Sequence, residues 1–244
     1  MKIALIGYGK MGQMIEQVVK EKNKTSNSGH EIILKINEHN AKNFTNADLA
    51  KADVAIEFTR PDAVVQNIYR CFDAGIPVIV GTTGWNEYAE EVKEKCMEKN
   101  GALLYASNFS IGVNILFEVN KLLARLMDIQ PQYSITIEEV HHVQKLDAPS
   151  GTAISLAEDI LKNVKRKDKW VNSASARHNE LSIISVREGA VSGIHEVEYE
   201  SDVDTILIRH SANSRRGFAE GALKAAEFLK DKKGVYSMRD VLGI

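Results

Sequence analysis

The chain has 244 residues, of which 44% are hydrophobic and 26% are charged. These values are typical of a globular protein and exclude collagen-like and intrinsically disordered chains. The 31 basic and 33 acidic residues leave a formal net charge of −2, which favours neither a nucleic acid nor a membrane surface as partner. Cys71 and Cys96 fit neither a disulfide framework nor a metal-binding spacing. We therefore expect a cytoplasmic protein that binds no nucleic acid, no membrane and no metal.

The first part of the chain alternates short apolar runs with helical patterns. Strands are predicted at Lys2–Ile6, Glu31–Ile36, Asp53–Phe58, Pro77–Gly81 and Ala102–Ala106. Helices are predicted at Lys10–Lys22, Pro61–Ala74 and Asn86–Asn100. Because the strands are apolar almost throughout, both of their faces should be buried. The repeated strand–helix–strand order predicts a parallel sheet with right-handed crossovers.

The pattern changes after Asn108. Helices are predicted at Gly112–Met127 and Thr152–Val164. The strands predicted at Ile135–His142, Ser182–Glu188, His195–Ser201 and Asp204–Ala212 alternate polar and apolar residues. That alternation indicates a mixed or antiparallel sheet with one solvent-facing side. The Ala-rich segment Gly217–Lys230 predicts an amphipathic helix, and a short segment at Tyr236–Leu242 follows it.

A glycine-rich loop, Gly7-Tyr8-Gly9-Lys10-Met11-Gly12, has the spacing G-x-G-x-x-G between a predicted strand and a predicted helix. The first glycine allows a tight turn, the second lets a pyrophosphate approach the backbone, and the third lets the helix pack closely on the strand. The free amide groups and dipole of the helix start favour phosphate at the same place. The loop therefore predicts a dinucleotide site.

We accordingly predict an α/β fold with two domains. Residues 1–108 form a Rossmann-type parallel-sheet domain that binds the dinucleotide, and residues 217–244 pack back on it. Residues 109–216 form an α+β domain with a mixed or antiparallel sheet, which binds substrate and whose alternating strands, such as His195–Ser201, could form a sheet between subunits.

The second predicted strand ends at Ile36 and is followed by Asn37 and Glu38. An acidic side chain at this place usually accepts hydrogen bonds from the adenosine ribose. The sequence leaves open which of these two residues reaches the ribose. No arginine follows to bind a 2′-phosphate, although Lys35, His39 and Lys42 could assist. NADH and NADPH both remain candidates.

Two polar loops follow the next predicted strands. Phe58 and Thr59 come after the third strand, and Gly81-Thr82-Thr83-Gly84 comes after the fourth. Ligands bind at the carboxyl ends of the strands in such sheets. Together with the glycine loop, these two loops predict a nicotinamide pocket.

The most informative segment runs from Glu138 to Ala153. His141 and His142 lie on a predicted strand, so they point to opposite faces and cannot easily share a metal ion. Lys145 follows, and Ser150 is a natural N-cap for the next helix. The amides of Gly151 and Thr152 would then be free to bind a carboxylate. This grouping predicts a site for an anionic substrate that needs proton transfer, without ranking His141 over His142.

The segment His141-His142-x-x-Lys145-x-Asp147-Ala148-Pro149-Ser150-Gly151-Thr152-Ala153 resembles the signature of the 4-hydroxy-tetrahydrodipicolinate reductase (dihydrodipicolinate reductase) family of bacterial lysine and diaminopimelate synthesis. The resemblance covers essentially the whole chain. It includes the glycine loop, Gly81-Thr82-Thr83-Gly84, Ser107-Asn108-Phe109-Ser110-x-Gly112-Val113-Asn114, Gly193-x-His195-Glu196, and Ser214-Arg215 ahead of Phe218-Ala219-x-Gly221-Ala222. The chain departs from the family at two places: Asn37 stands where the ribose-contacting residue is usually acidic, and Glu188 stands where the middle residue of Arg187-Glu188-Gly189 is commonly small.

The resemblance implies roles for the matching residues. Residues 7–12 would hold the pyrophosphate of NADH or NADPH. The nicotinamide end would be lined by Gly81, Thr82, Thr83, Ala106, Ser107, Asn108 and Phe109. His141 would be the acid/base residue and Lys145 the proton donor. The carboxylates of a dicarboxylate substrate would be bound by His142, Gly151 and Thr152, and we add Lys145 and Ser150 to this set.

The resemblance also implies a reaction, in which hydroxy-tetrahydrodipicolinate loses its hydroxyl as water and is reduced to tetrahydrodipicolinate. Because the cofactor and substrate residues fall in different predicted domains, we expect closure at hinges near Asn108–Ser110 and Ser214–Gly217. A homotetramer is implied as well. The alternatives are a related two-domain amino-acid or homoserine-type dehydrogenase and a nicotinamide-binding regulator, neither of which requires the histidine–lysine segment.

Overall fold

The computed structural model describes residues 1–26, 28–41, 43–175 and 177–244. In these residues the strands are β1 (Lys2–Ile6), β2 (Glu31–Ile36), β3 (Val54–Glu57), β4 (Val78–Val80), β5 (Ala102–Tyr105), β6 (Ser134–His141), β7 (Lys169–Val171), β8 (Glu180–Arg187), β9 (Ile194–Glu200), β10 (Thr205–Ser211) and β11 (Gly234–Tyr236). The helices are α1 (Lys10–Ser26), α2 (Asn46–Leu49), α3 (Val64–Asp73), α4 (Ala89–Glu98), α5 (Ile111–Met127), α6 (Gly151–Asn163), α7 (Arg216–Leu229) and α8 (Met238–Leu242), and a 3₁₀ turn spans Asn86–Tyr88.

The chain divides into two compact units. The first unit comprises Met1–Ile111 and Arg215–Ile244, and the second comprises Gly112–Ser214. The first segment of the first unit ends at Ile111, three residues after the expected residue 108, and its second segment begins at Arg215, two residues before the expected residue 217. The reason is that Phe109 and the start of α7 pack together inside the first unit. The ideal Cβ of Gly221 on α7 would lie only 1.8 Å from the carbonyl oxygen of Phe109, so the small residue permits this close approach.

The first unit is built on a six-stranded sheet in the order β11-β5-β4-β3-β1-β2. Every pair in it is parallel. Alternate residues of each strand enter two separate cores: Ile3 and Leu5 pack with α1 and α7, whereas Ala4 and Ile6 pack with α2, α3 and α4. Since consecutive side chains of a strand point to opposite faces, burial on both faces explains why these strands are apolar throughout.

The second unit is built on a five-stranded sheet in the order β10-β9-β6-β8-β7. Strand β6 pairs in parallel with β8 and antiparallel with β9, so the sheet is mixed. Helices α5 and α6 cover one of its faces around a core that includes Ile137, Leu156 and Val197. The alternating burial of β9 matches its alternating sequence.

These features confirm the predicted fold class, a Rossmann-type parallel sheet with helices followed by a mixed-sheet α+β unit. The sequence patterns missed α2, β7 and β11, which are only three or four residues long and too short to show a period. The segment predicted at Tyr236–Leu242 divides into the end of β11 and α8. None of the helices in the described residues combines the length and apolar character that a membrane span needs.

Candidate active site

The glycine loop connects β1 to α1 in the first unit. Gly7 adopts a φ of 99°, which L-residues with side chains rarely occupy. An ideal Cβ on Gly7 would lie 2.0 Å from the carbonyl oxygen of Phe58, and one on Gly12 would lie 2.6 Å from the carbonyl oxygen of Gly7. No heavy atom lies within 4 Å of an ideal Cβ on Gly9. The outer glycines are therefore required by packing, and Gly9 leaves open space at the start of a helix, which suits a pyrophosphate.

Tyr8, Lys10 and Met11 fill the other positions of this loop. The amides of Gly7 and Tyr8 both donate to the carbonyl of Ile36, at 2.9 and 2.7 Å, which ties the loop to the end of β2. The Tyr8 hydroxyl bonds to the buried carboxylate of Glu16. Lys10 is exposed, whereas Met11 packs partly against the core.

The turn after β2 is closed by two asparagines. The side-chain oxygen of Asn37 accepts from the amides of His39 and Asn40, at 2.9 and 3.2 Å. The side chains of Glu38 and His39 are more than four-fifths exposed. Lys35 is paired with Glu16, 2.9 Å away. Of the residues considered for a 2′-phosphate, Lys42 lies outside the described residues.

The two predicted nicotinamide loops lie side by side, because β3 and β4 are neighbours. The amide of Thr59 donates to the hydroxyl of Thr82 at 2.7 Å. The ring of Phe58 lies against Gly81, where an ideal Cβ would come within 2.1 Å of it. Thr83 and its neighbour Gly84 are exposed. The pair of loops thus forms a connected edge at the carboxyl ends of the strands.

Glu57 forms hydrogen bonds with residues of both loops, Thr59 and Thr82. No role was assigned to it from the sequence. Its side chain is fully buried at the end of β3. The Thr59 hydroxyl donates to it, and the Asn67 amide does so at 3.3 Å. Burial raises the pKa of Glu57. A carboxylate ending an otherwise apolar strand was the available signal.

The segment Ala106–Phe109 follows β5, the next strand of the sheet. Ser107 is exposed, and the side-chain oxygen of Asn108 accepts from the amide of Ser110 at 2.8 Å. The side chain of Phe109 is almost fully buried in the core with α7. All three predicted nicotinamide segments therefore follow adjacent parallel strands, and Phe109 contributes to that edge through its backbone and its packing.

The second unit holds the histidine–lysine segment. His141 ends β6 and is buried, whereas His142 is half-buried. Beneath His141 lies Glu139, whose side chain is fully buried. The Nδ1 atom of His141 lies 3.4 Å from the Oε2 atom of Glu139. The ring of His195, on β9, lies edge-on to that of His141 with centroids 5.0 Å apart.

The start of α6 is fixed by the same carboxylate. Ser150 is the N-cap, and its hydroxyl accepts from the amide of Ala153 at 3.3 Å. The amide of Ser150 donates to both oxygens of Glu139, at 3.0 and 3.1 Å. Gly151 is exposed, and no heavy atom lies within 4 Å of its ideal Cβ. With Thr152 partly exposed behind it, this helix start can receive a carboxylate.

Lys145 lies in the loop after β6, with its side chain about one quarter exposed. Its ammonium is paired with Asp147, 2.8 Å away, and its backbone amide donates to the carbonyl of His142 at 3.0 Å. Burial would raise the pKa of Asp147, but the hydrogen bond and charge of Lys145 lower it below its usual value. Lys145 is therefore a charged donor that is already oriented within this segment.

Two family models together match almost the whole chain. The N-terminal model of dihydrodipicolinate reductase matches residues 1–109, and the C-terminal model of dihydrodipicolinate reductase matches residues 112–242. The chain belongs to the dihydrodipicolinate reductase family.

Relatives within the dihydrodipicolinate reductase family match most of the chain. The chain is 47% identical to a 4-hydroxy-tetrahydrodipicolinate reductase of Christiangramia forsetii, over 99% of this chain and 98% of that protein. It is 35% identical to the enzyme of the same name from Neisseria meningitidis serogroup B, over 81% and 75% of the two chains. A solved structure of dipicolinate-bound dihydrodipicolinate reductase from Paenisporosarcina sp. TG-14 shares the fold, with a TM-score of 0.76, 22% identity and 97% coverage of both chains.

Three neighbouring ionisable groups of the second unit, Glu139, His141 and His195, have shifted pKa values. Burial lowers the pKa of His141; Glu139 opposes that shift. Burial and the neighbouring His141 lower the pKa of His195 to about 3. Burial would raise the pKa of Glu139, but hydrogen bonds from Ser150 and Arg187 hold it below its usual value. These pKa shifts favour two neutral imidazoles beside a charged carboxylate at neutral pH.

Sequence reasoning missed three residues of this cluster as participants: Glu139, Arg187 and His195. The sequence did carry a signal for Glu139, because this charged residue occupies a position of β6 whose side chain lies on the same buried face as apolar residues. Arg187 reaches Glu139 at 3.1 Å from the end of the neighbouring strand β8, and His195 reaches the Ser150 hydroxyl at 3.2 Å. Both lie far away in sequence, so only the folded sheet brings them to the site.

Glu139, His141 and His195 offer donor atoms within 4.8 Å of one another, a spacing that a metal ion could bridge. The carboxylate is already engaged by the amide of Ser150 and by the guanidinium of Arg187. A divalent cation here would lie beside a permanent positive charge. This donor set does not fit a metal site.

Proposed function

We propose that this chain is an NAD(P)H-dependent oxidoreductase that reduces 4-hydroxy-tetrahydrodipicolinate to tetrahydrodipicolinate in lysine and diaminopimelate biosynthesis. The observation that carries the proposal is the segment from His141 to Thr152, which brings a buried histidine, a charged lysine and an open helix start together within twelve residues. The family membership and the relatives' printed names agree with this reaction. They do not favour the alternative of an amino-acid or homoserine-type dehydrogenase.

The first unit supplies the cofactor residues in this proposal. Residues 7–12 hold the pyrophosphate through the amides at the start of α1. The turn after β2, with Asn37 and Glu38, lies at the ribose. The nicotinamide end is lined by Phe58, Thr59, Gly81, Thr82, Thr83, Ala106, Ser107, Asn108 and Phe109. When bound, the reduced cofactor supplies a hydride.

The second unit supplies the substrate residues. Two carboxylates need cationic or amide donors, which His142, Lys145, Ser150, Gly151 and Thr152 provide. Burial of a doubly negative ligand beside His141 favours the protonated imidazole, because an opposite charge nearby raises its pKa. His141 then serves as the acid/base residue, while Lys145 exchanges Asp147 for the ligand and donates the proton.

Because cofactor and substrate residues belong to different units, the reaction requires a domain movement that also excludes water. We propose hinges near residues 108–110 and 214–217; the chain passes from the first unit to the second after Ile111 and returns after Ser214.

Both NADH and NADPH should serve as cofactors. Asn37 presents no carboxylate that would repel a 2′-phosphate, and its amide can donate to either a hydroxyl or a phosphate oxygen. Lys35 is held by Glu16, so it does not act as a dedicated phosphate clamp. Asn37 and the pairing of Lys35 therefore favour use of both cofactors over strict selection of one.

We further propose a cytoplasmic homotetramer. The free cysteines Cys71 and Cys96 are buried, as suits a reducing compartment. Helices α5 and α6 cover one face of the second unit's sheet, which leaves Leu207 on β10 about half exposed on the other face. Sedimentation should give four times the 27.1 kDa mass of the chain.

The decisive experiment couples the purified protein to the preceding synthase, which makes the unstable substrate in the cuvette. Oxidation of NADH and of NADPH is followed separately at 340 nm. Synthase-dependent oxidation of both cofactors supports the proposal. Oxidation of neither, by a folded protein, rejects it.

A further inference from the structure

Glu139 is a charged side chain with no solvent exposure. Carboxylates are rarely buried in this way unless they are paired and hydrogen-bonded. The proposed function above uses the histidine, the lysine and the helix start, and gives this carboxylate no part. Its contacts come from four different elements.

The first set of contacts joins α6 to the sheet. The Ser150 amide donates to both oxygens of Glu139, which places the N-cap directly over β6. The Nε2 atom of His195 lies 3.9 Å from the same carboxylate and 3.2 Å from the Ser150 hydroxyl. The helix start that would receive a substrate carboxylate is thus anchored at its N-cap to Glu139.

The second set of contacts reaches the lysine. Arg187 donates from Nη2 to Glu139 at 3.1 Å and to the backbone carbonyl of Asp147 at 2.5 Å. Its Nε atom donates to the backbone carbonyl of Lys145 at 3.4 Å. Because one guanidinium holds both the carboxylate and the loop, the position of Lys145 depends on Glu139.

We propose that Glu139 is the positioning residue of the substrate site, which aligns the start of α6, the Lys145 loop and the ring of His141, and which is the counter-charge for His141 when that ring is protonated. The inference rests on the proposed function for the identity of the reaction. The geometry of the cluster holds whether or not that identity is correct.

The charges around His141 show why a counter-charge is needed. Lys145 and Arg187 are cationic and disfavour protonation of the ring, and the imidazole of His195 acts in the same direction when it is charged. Glu139 and Asp147 favour protonation. Asp147 is more than half exposed and is paired with Lys145, whereas Glu139 is buried at 3.4 Å from the ring. Removal of Glu139 therefore leaves the cations Lys145 and Arg187 opposed, among these groups, by the exposed and lysine-paired Asp147 alone.

A different result is expected if Glu139 and Arg187 form only a structural ion pair. Its loss would lower the stability of the second unit without any specific effect on the titration of His141. The test must therefore measure the protonation of this ring as well as turnover.

The experiment compares Glu139→Gln, which keeps the shape and removes the charge, with the parent chain. The control is Glu158→Gln, the same change at an exposed carboxylate of α6. We expect kcat of Glu139→Gln to fall by ~10–10²-fold, since small misplacements of reacting groups have effects of that size. In ¹H–¹⁵N NMR titrations, His141 of this variant should take up its proton about one pH unit lower than in the parent. Cofactor affinity and the control variant should match the parent.

A folded Glu139→Gln variant with parental kcat, or with His141 titrating as in the parent, would overturn the proposal. Should this variant fail to fold, Glu139→Asp keeps the charge and withdraws it by one methylene. Turnover at least ~5-fold below the parent, with parental cofactor affinity, then supports positioning, and parental turnover overturns it. If the parent itself lacks reductase activity, the proposed function fails, and the NMR comparison still decides the role of Glu139.

Discussion

The candidate cofactor residues of the first unit and the candidate substrate residues of the second unit use different chemical groups. In the first unit, backbone atoms and glycines shape the cradle: packing excludes a side chain at Gly7, Gly12 and Gly81, and Gly9 leaves space. In the second unit, ionisable side chains of β6, β8 and β9 and the N-cap of α6 meet at one buried carboxylate. A cradle of backbone amides recognises any pyrophosphate, whereas a cluster of charged side chains can also move a proton.

This contrast predicts that substitutions in the two units impair different functions. A change in the second unit should affect turnover and substrate binding and leave cofactor affinity intact. A change in the glycine loop should do the reverse. Four predictions test this separation, in order of decreasing effect.

The largest effect is expected for His141→Gln, which keeps a polar side chain and removes the titrating ring. Loss of a positioned acid/base group lowers kcat by ~10²–10⁴-fold. Steady-state kinetics in the synthase-linked assay measure it, and fluorescence titration with NADH should give a parental dissociation constant. A kcat close to that of the parent would remove His141 from the acid/base role.

Lys145→Ala should follow, with kcat/KM lower by ~10²-fold, since the change removes a proton donor and a charge-assisted hydrogen bond. The matched control is Lys162→Ala, which removes an exposed lysine from α6 of the same unit. The control should behave like the parent. Loss of NADH affinity as severe as the loss of activity would contradict the separation of the two units' roles.

Gly9→Ala and Gly151→Ala form a pair, because each adds one methyl group where no heavy atom lies within 4 Å. Neither should change the melting temperature by more than a few degrees. Gly9→Ala should weaken NADH binding by ~10-fold, and Gly151→Ala should raise the KM for the substrate by ~10-fold, since each methyl group displaces an anion from a helix start. The comparison breaks down if both variants change the same constant.

The fold could be read from the sequence wherever the signal was local. Strands β1 and β2 were predicted to the residue, because each is a run of five or six residues with apolar side chains next to a turn signal. Helix α3 starts at Val64, three residues later than the predicted Pro61. The short elements α2, β7 and β11 depend on their tertiary neighbours.

The candidate site likewise has one part that the local sequence predicts and another that depends on the tertiary fold. The glycine loop follows from backbone geometry that six consecutive residues specify. The substrate cluster depends on strand register: β6 pairs with β8 so that His141 is opposite Arg187, and with β9 so that Glu139 is opposite His195. No spacing within the sequence encodes those two partners. The site residues themselves stay predictions until the variants are measured.

The smallest expected effect concerns Asn37, a polar side chain of the first unit on which we expect cofactor choice to depend. Asn37→Asp introduces a carboxylate that can accept from a ribose hydroxyl and that repels a 2′-phosphate. Near the surface such a charge is worth up to about 1 kcal/mol, so the NADH/NADPH ratio of kcat/KM should rise about 5-fold. Glu38→Gln is the matched variant, because the side chain of Glu38 is more than four-fifths exposed and removal of its charge should leave the ratio unchanged. If Glu38→Gln lowers NADH affinity and Asn37→Asp leaves the ratio as it was, Glu38 is the ribose contact, and the cofactor half then also depends on a charged side chain.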